Sequence, residues 1–251
     1  MTYLDGDGRT ARKITCIVCT YNYGRYLHRC LSSLVQQTLD PALREVIVVD
    51  DGSTDETCDV LQSFADSVRV IRQSNRGLAA ASNTGLLHSS CEYVLRVDAD
   101  DEIVPEALES LALALDSDPR LAAAYADRVQ INVRSGRESV KHVEEANIYE
   151  IIAPGVMFRR SRVLEVGLYR PMYWEEHDLM IRILSRYPIV HVPAALYRYY
   201  IHGENMTADA SARRDGWRAL IDEWGIDELR RWGREPELED VFSGMCAPVI
   251  E

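Results

Sequence analysis

Two rhythms of apolar and polar residues alternate along the chain. Ile14-Thr-Cys-Ile-Val-Cys-Thr20 is a short apolar run that reads as a strand. Over residues 25–37, Tyr26, Leu27, Cys30, Leu31, Leu34 and Val35 recur at helical spacing. Residues 45–50 give a second strand, ending on Asp50 and Asp51. Thr54 or Asp55 can cap a helix over about 55–66, and Glu56 adds an acid to its first turn. A third strand is predicted over 68–72, a helix over 78–89 and a fourth strand over 92–98, Glu-Tyr-Val-Leu-Arg-Val-Asp. Pro105 suits the first turn of a helix running to about 117.

Strands separated by helices of this length predict stacked βαβ units, an α/β fold with a mostly parallel central sheet flanked by helices. Ligands of such sheets bind outside the carboxyl ends of the strands. Thr20, Tyr21 and Asn22 stand at the end of the first strand, Asp50 and Asp51 at the second, and Asp98, Asp100 and Asp101 at the fourth.

Beyond about residue 120 the rhythm changes. A longer strand is predicted over 121–133, another over 155–159, then a short helix and a loop to Trp174. A helix follows over about 175–187, and 189–201 read as one or two strands. From about 209 to 234 the pattern is helical, with Trp217, Leu220, Ile221, Trp224, Leu229 and Trp232 on one stripe. The expected organisation is one domain with a first half over 1–120, a second half over 121–208 and a helical tail over 209–251. The stripe could pack internally, pair with a second copy in a homodimer, lie on a membrane surface or lend a tryptophan to an acceptor.

Composition narrows the class. Of 251 residues, 47% are hydrophobic and 27% charged, enough apolar material for a sizeable core. The net charge of −12 argues against nonspecific nucleic-acid binding, which needs a basic surface. The amino-terminal MTYLDGDGRTARK lacks the apolar centre of a signal peptide, and no apolar run reaches the roughly 18 residues of a membrane span. A cytoplasmic protein is expected, with peripheral contact at the inner face of the membrane as a variant. Cys16 and Cys19 form a CxxC inside a predicted strand, where residues three apart face opposite ways and cannot bridge. Asn205-Met-Thr207 matches the glycosylation acceptor pattern, read here as chance.

The acids carry the chemistry. Alternate side chains of an extended segment share a face, so Asp98 and Asp100 can converge on one point. Converging carboxylates repel unless a cation sits between them. Mg²⁺ or Mn²⁺ takes one or two protein carboxylates and completes its shell with phosphate oxygens and water. Neither a P-loop nor a G-x-G-x-x-G fingerprint follows the first strand, which continues Thr-Tyr-Asn-Tyr-Gly. Of Asp50 and Asp51, one is expected to cap the turn through the N–H groups of Gly52 to Thr54, and the other to face a ligand.

Five blocks occur in order: Ile14 to Asn22, VIVVDDGSTDET, Ser74 to Asn83, Asp98-Ala-Asp100-Asp101, and Trp174-Glu-Glu-His-Asp-Leu-Met-Ile-Arg182. Together they resemble family 2 glycosyltransferases of the GT-A fold, over roughly residues 14–205. The resemblance implies an inverting transferase that uses a nucleotide-diphospho-sugar, with uracil the first candidate base, and Mn²⁺ or Mg²⁺. It implies a hydroxyl-bearing acceptor, whether a saccharide, a lipid-linked saccharide or a small molecule, and commonly a part in polysaccharide assembly.

The resemblance also implies roles. Thr20, Tyr21 and Asn22 would line the base pocket, Asp51 would bond the base, and Arg76, Gly77 and Asn83 would lie near base or diphosphate. Asp98 would hold the ribose or a metal water, and Asp100 the metal. Glu176 falls on the position of the catalytic base, where relatives usually carry Asp, one methylene shorter. An inverting transfer needs such a carboxylate to take the acceptor's proton. Glu175 and Asp178 are second candidates, equally explained as acids favouring a helix start; Asp50 and Asp101 stand behind them. His202 would contact metal or diphosphate, with Arg198 a weaker candidate. Two rival readings are a nucleotidyltransferase and a non-catalytic protein that binds sugar nucleotides.

Overall fold

The computed structural model describes residues 13–143, 147–152 and 154–246. The amino-terminal stretch read above for a leader lies outside the described residues. The first half follows the predicted alternation: β1 (Ile14–Thr20), α1 (Gly24–Val35), β2 (Arg44–Asp50), α2 (Thr57–Ser63), β3 (Arg69–Arg72), α3 (Leu78–His88) and β4 (Tyr93–Asp98). The short β5 (Glu102–Ile103) precedes α4 (Ala107–Asp116). The second half holds β6 (Ala123–Asn132), β7 (Arg137–Lys141), β8 (Met157–Arg159), α5 (Arg160–Val166), α6 (Glu175–Leu184) and β9 (Ile189–Ile201). The tail is α7 (Ala210–Trp224), α8 (Ile226–Arg231) and α9 (Pro236–Cys246).

One sheet runs β3-β2-β1-β4-β8-β6-β9-β5, with β7 paired to β6. β3, β2, β1 and β4 are mutually parallel. β8 runs antiparallel between β4 and β6, and β9 is parallel to β6 across a register shift near Asp127. This is the expected α/β architecture of a mostly parallel sheet between helices, the GT-A arrangement.

Period-two side-chain alternation sorts the strands onto two faces. Ile14, Cys16, Val18, Val46, Val48, Leu95 and Val97 meet Leu27, Leu31 and Leu34 of α1 and Leu108, Leu111 and Leu115 of α4. Ile17 and Val94 face the other way, toward Leu86, Val163, Leu179 and Ile183 of α3, α5 and α6. Cys16 and Cys19 are both free, and they pack on opposite faces as the strand reading required. Gly85 lets α3 lie close to β1, because a Cβ there would stand 2.5 Å from Ile17 Cγ2.

The tail stripe packs internally. Trp217, Leu220, Ile221 and Leu229 are buried with Trp174, Ile181, Leu238 and Val241, and Trp224 and Trp232 pack against them. Among the described residues, no helix is long and apolar enough to cross a membrane.

Candidate active site

The parallel strands deliver their carboxyl ends to one rim. At β2, Asp50 accepts the N–H of Ser53 at 2.9 Å, which caps the turn through Gly52 (φ +88°). Asp51, 4% exposed, turns the other way. Its carboxylate accepts Gln73 Nε2 at 2.7 Å, the Arg76 N–H at 3.0 and 3.1 Å, and the Gly77 N–H at 2.8 Å. Asp51 thus holds the 73–77 loop and the start of α3, where Gly77 takes φ +84°. Bonds to a charged acceptor are each worth about 1.5–3 kcal/mol. Asp51→Ala leaves that loop's N–H groups without an acceptor, and urea melts should show a loss of about 2–4 kcal/mol.

Other predicted residues are used inside the scaffold. Asn22, at φ 56°, accepts the Thr54 N–H at 2.8 Å and gives its own N–H to Ser53 Oγ. Asn83 clamps the Tyr169 backbone, donating to its carbonyl at 2.8 Å and accepting its N–H at 2.9 Å. Thr20 is buried, its Oγ1 without a hydrogen-bond partner among the described residues. None of these lines the central cavity, and neither do Arg76 or Gly77; Tyr21, 47% exposed, does.

The turn after β4 gathers the acids. Carboxylate oxygens of Asp98, Asp100 and Asp101 lie within 4.8 Å of one another. Asp101 is fully buried, accepting the Tyr197 hydroxyl at 2.8 Å and the Tyr200 N–H at 2.8 Å, so it ties β9 to the turn. Asp100 receives His202 Nε2 at 2.9 Å and Asn205 Nδ2 at 3.3 Å. Burial pushes Asp98 up to about 6; Arg96 lowers it, and Asp100 and Glu175 raise it. Hard oxygen donors that repel one another suit Mg²⁺ or Mn²⁺, with Asp98 and Asp100 the available pair. Arg198 does not join them. It alternates with cavity-lining Tyr199 along β9 and faces Glu138 at 3.1 Å and Glu102 at 3.9 Å.

α6 brings the second set. Its first turn holds Glu175, Glu176 and Asp178, acids where the helix dipole favours them. Asp178 is spent on Arg182 (2.6 Å), Arg170 (3.2 Å) and the Trp224 indole (3.1 Å), a structural hub. Glu175, 2% exposed, pairs with Arg96 at 2.8 Å. Burial and then Glu176 push Glu175 up to about 7 against the pull of Arg96. Glu176 is partly buried on the cavity wall; burial raises its carboxyl, and Arg96 opposes this.

Arg96 is the residue that sequence reasoning passed over. It is 6% exposed, reaches Asp98 at 3.5 Å and Ser82 Oγ at 3.4 Å besides Glu175, and lies over the Tyr169 ring. The available signal was a lone arginine inside the apolar run Tyr93-Val-Leu-Arg-Val. A buried charge in a central strand needs partners of opposite sign, and the acids at 98 and 175 are the candidates.

A cavity of about 420 Å³ joins these parts. Tyr21, Tyr23, Arg96, Asp98, Asp100 and Glu176 line it, together with Trp174, His177, Trp217 and Tyr149. Acids far apart in sequence therefore share one cleft, as the rim reading required. His177 is stacked at 5.5 Å on Trp217 and at 5.4 Å on Trp174. Burial pushes its imidazole down to about 4. A histidine depressed from 6.5 adds stability that is full above pH 6.5 and lost as pH falls toward 4. Relative to His177→Phe, the wild type should lose about 2 kcal/mol between pH 7 and pH 5 in urea melts.

The comparisons agree with this geometry. The profile of Glycosyl transferase family 2 matches residues 15–179. The uncharacterized glycosyltransferase YibD of Escherichia coli K12 is 26% identical over 226 residues, covering 79% of this chain and 64% of YibD. The amylovoran biosynthesis glycosyltransferase AmsE of Erwinia amylovora is 28% identical over 219 residues, covering 81% of this chain and 79% of AmsE. The chain thus spans under two thirds of YibD and about four fifths of AmsE. Staphylococcus aureus TarS (residues 1–349), solved also in complex with UDP-GlcNAc, superposes with TM-score 0.69 at 19% identity over 93% of this chain and 72% of that one. The mannosyltransferase PcManGT of Pyrobaculum calidifontis, in complex with GDP-Man and Mn²⁺, superposes with TM-score 0.67 at 18% identity over 97% of this chain and 71% of that one. With the GT-A sheet, the rim of acids and a profile match over most of its length, this chain belongs to glycosyl transferase family 2.

Proposed function

We propose that the chain is an inverting glycosyltransferase. It moves a sugar from a nucleotide-diphospho-sugar, a UDP-sugar first, to an acceptor hydroxyl. The observation that carries this reading is that Asp98, Asp100 and Glu176 line one cavity. Its volume of about 420 Å³ falls in the range of small-molecule sites.

In the reaction, the acceptor oxygen bonds to the anomeric carbon from the face opposite the leaving group. The bond from that carbon to the diphosphate breaks, and its electron pair leaves with the diphosphate. Glu176 takes the acceptor's proton, a task that its raised carboxyl and its place on the wall both suit. Tyr21 lines the base side, and Asp51 acts there through the 73–77 loop that it holds. Asp98 and Asp100 would hold a divalent cation, which when bound would supply charge to offset the leaving diphosphate. His202, bonded to Asp100, sits beside that position. Support for donor and metal comes from TarS with UDP-GlcNAc and PcManGT with GDP-Man and Mn²⁺. AmsE, named for amylovoran biosynthesis, favours a saccharide product.

Titration calorimetry tests the donor half. UDP with Mn²⁺ should bind in the micromolar range, more tightly than GDP, and EDTA should abolish the heat. Absence of binding by UDP, GDP and dTDP at millimolar concentration with Mn²⁺ would overturn the reading. Inversion is read from the anomeric proton coupling of the product.

A further inference from the structure

Beyond the acids, the cavity has an aromatic wall. It is built by Trp174 and His177 at the start of α6, Tyr149 of the connection between β7 and β8, Trp217 of α7, and Glu235 and Glu237 at the start of α9. The rings pack together. Trp174 and Trp217 centroids are 4.6 Å apart, and Tyr149 meets Trp217 edge-on at 5.7 Å.

Two polar atoms of this wall have no hydrogen-bond partner among the described residues: Trp174 Nε1 and His177 Nδ1, on residues 8% and 5% exposed. A buried donor or acceptor left unpaired costs free energy that a ligand hydroxyl can recover. Aromatic faces with a few polar groups suit the apolar face and hydroxyls of a sugar ring.

The charges decide which sugar. Glu176, Glu235 and Glu237 line this part of the cavity, and among the described lining residues Arg96 is the one cation. It is engaged by Glu175 and Asp98. The nearby Arg213 is paired to Glu237 at 3.1 Å, and Trp217 Nε1 also donates to Glu237. A phosphate or carboxylate on the acceptor would meet carboxylates without a free counter-charge among the described lining residues.

Resting on the transferase reading above, we infer that the tail wall is the acceptor subsite and that it selects an uncharged saccharide ring against phosphate-bearing acceptors. The tail helices are thereby part of the specificity apparatus.

The test needs neither donor nor metal, so its failure is separate from failure of the donor titration. Saturation-transfer NMR on the full chain uses methyl glycosides of glucose, galactose and N-acetylglucosamine and their 6-phosphates. At least one neutral glycoside should bind about ten-fold more tightly than its phosphate. Glu235→Lys, a change on a partly exposed side chain, should shrink that ratio several-fold. Trp174→Phe keeps an aromatic face and removes the N–H, and should weaken neutral binding several-fold with circular dichroism unchanged. Phosphates binding as tightly, a ratio unmoved by Glu235→Lys, or no neutral glycoside binding at all would each overturn the inference.

Discussion

Glu176→Gln is expected to lower kcat by about 10²- to 10⁴-fold, the usual contribution of a positioned general base. The dissociation constant for UDP with Mn²⁺ should move less than two-fold. Glutamine keeps the size and hydrogen-bonding reach of the side chain but cannot take the acceptor's proton. Glu176→Asp retracts the carboxylate by one methylene, toward the residue more usual in the resembled family, and should keep a large part of the activity. His177 could in principle compete for the role. Its imidazole is pushed down to about 4 and lies buried against two indoles, so it is a poor proton acceptor at neutral pH. Undiminished turnover in Glu176→Gln would remove the glutamate from the mechanism. Nucleotide binding without any turnover in the wild type would instead favour a non-catalytic binding protein.

The first half of the fold was legible because each strand there is a short apolar run bounded by turn residues. Its helices carry regular stripes, such as Leu27, Leu31 and Leu34. The second half was legible in outline and blurred in detail. β7, Arg137-Glu-Ser-Val-Lys141, is an exposed strand with almost no apolar content, and β5 is two residues long. Neither has a periodicity to detect; both exist because a longer neighbour pairs with them. The stripe was traceable to about residue 234 within the expected helical tail; α9 beyond it is defined by Leu238 and Val241, which take their meaning from the tail core.

The site divides the same way. Motif order brought Asp98, Asp100 and Glu176 to one cavity. Spacing could not tell a residue that faces a ligand from one that holds the loop behind it. Asp51, Asn22 and Asn83 spend their polar atoms on backbone partners distant in sequence. Those partners become visible when the chain is folded.

Arg96→Met should cost about 3–5 kcal/mol of stability, the penalty for removing one partner of a buried ion pair. Glu175 would be left 2% exposed with no cation, and Asp98 would lose its nearest one. The double variant Arg96→Met with Glu175→Leu removes both charges and should recover most of that loss, because burying apolar groups is often no worse than burying an ion pair. Kinetics in the folded fraction separate stability from function. Arg96 favours the ionised form of Glu176. Without it Glu176 stays protonated to higher pH, so on the proposed mechanism the acidic limb of the kcat profile should move upward. The limb should stay raised in the double variant, since the missing cation acts on Glu176 directly. A double variant as unstable as the single would mean that the arginine is held by packing rather than by charge. An unmoved acidic limb would mean that this guanidinium does not set the protonation of the base.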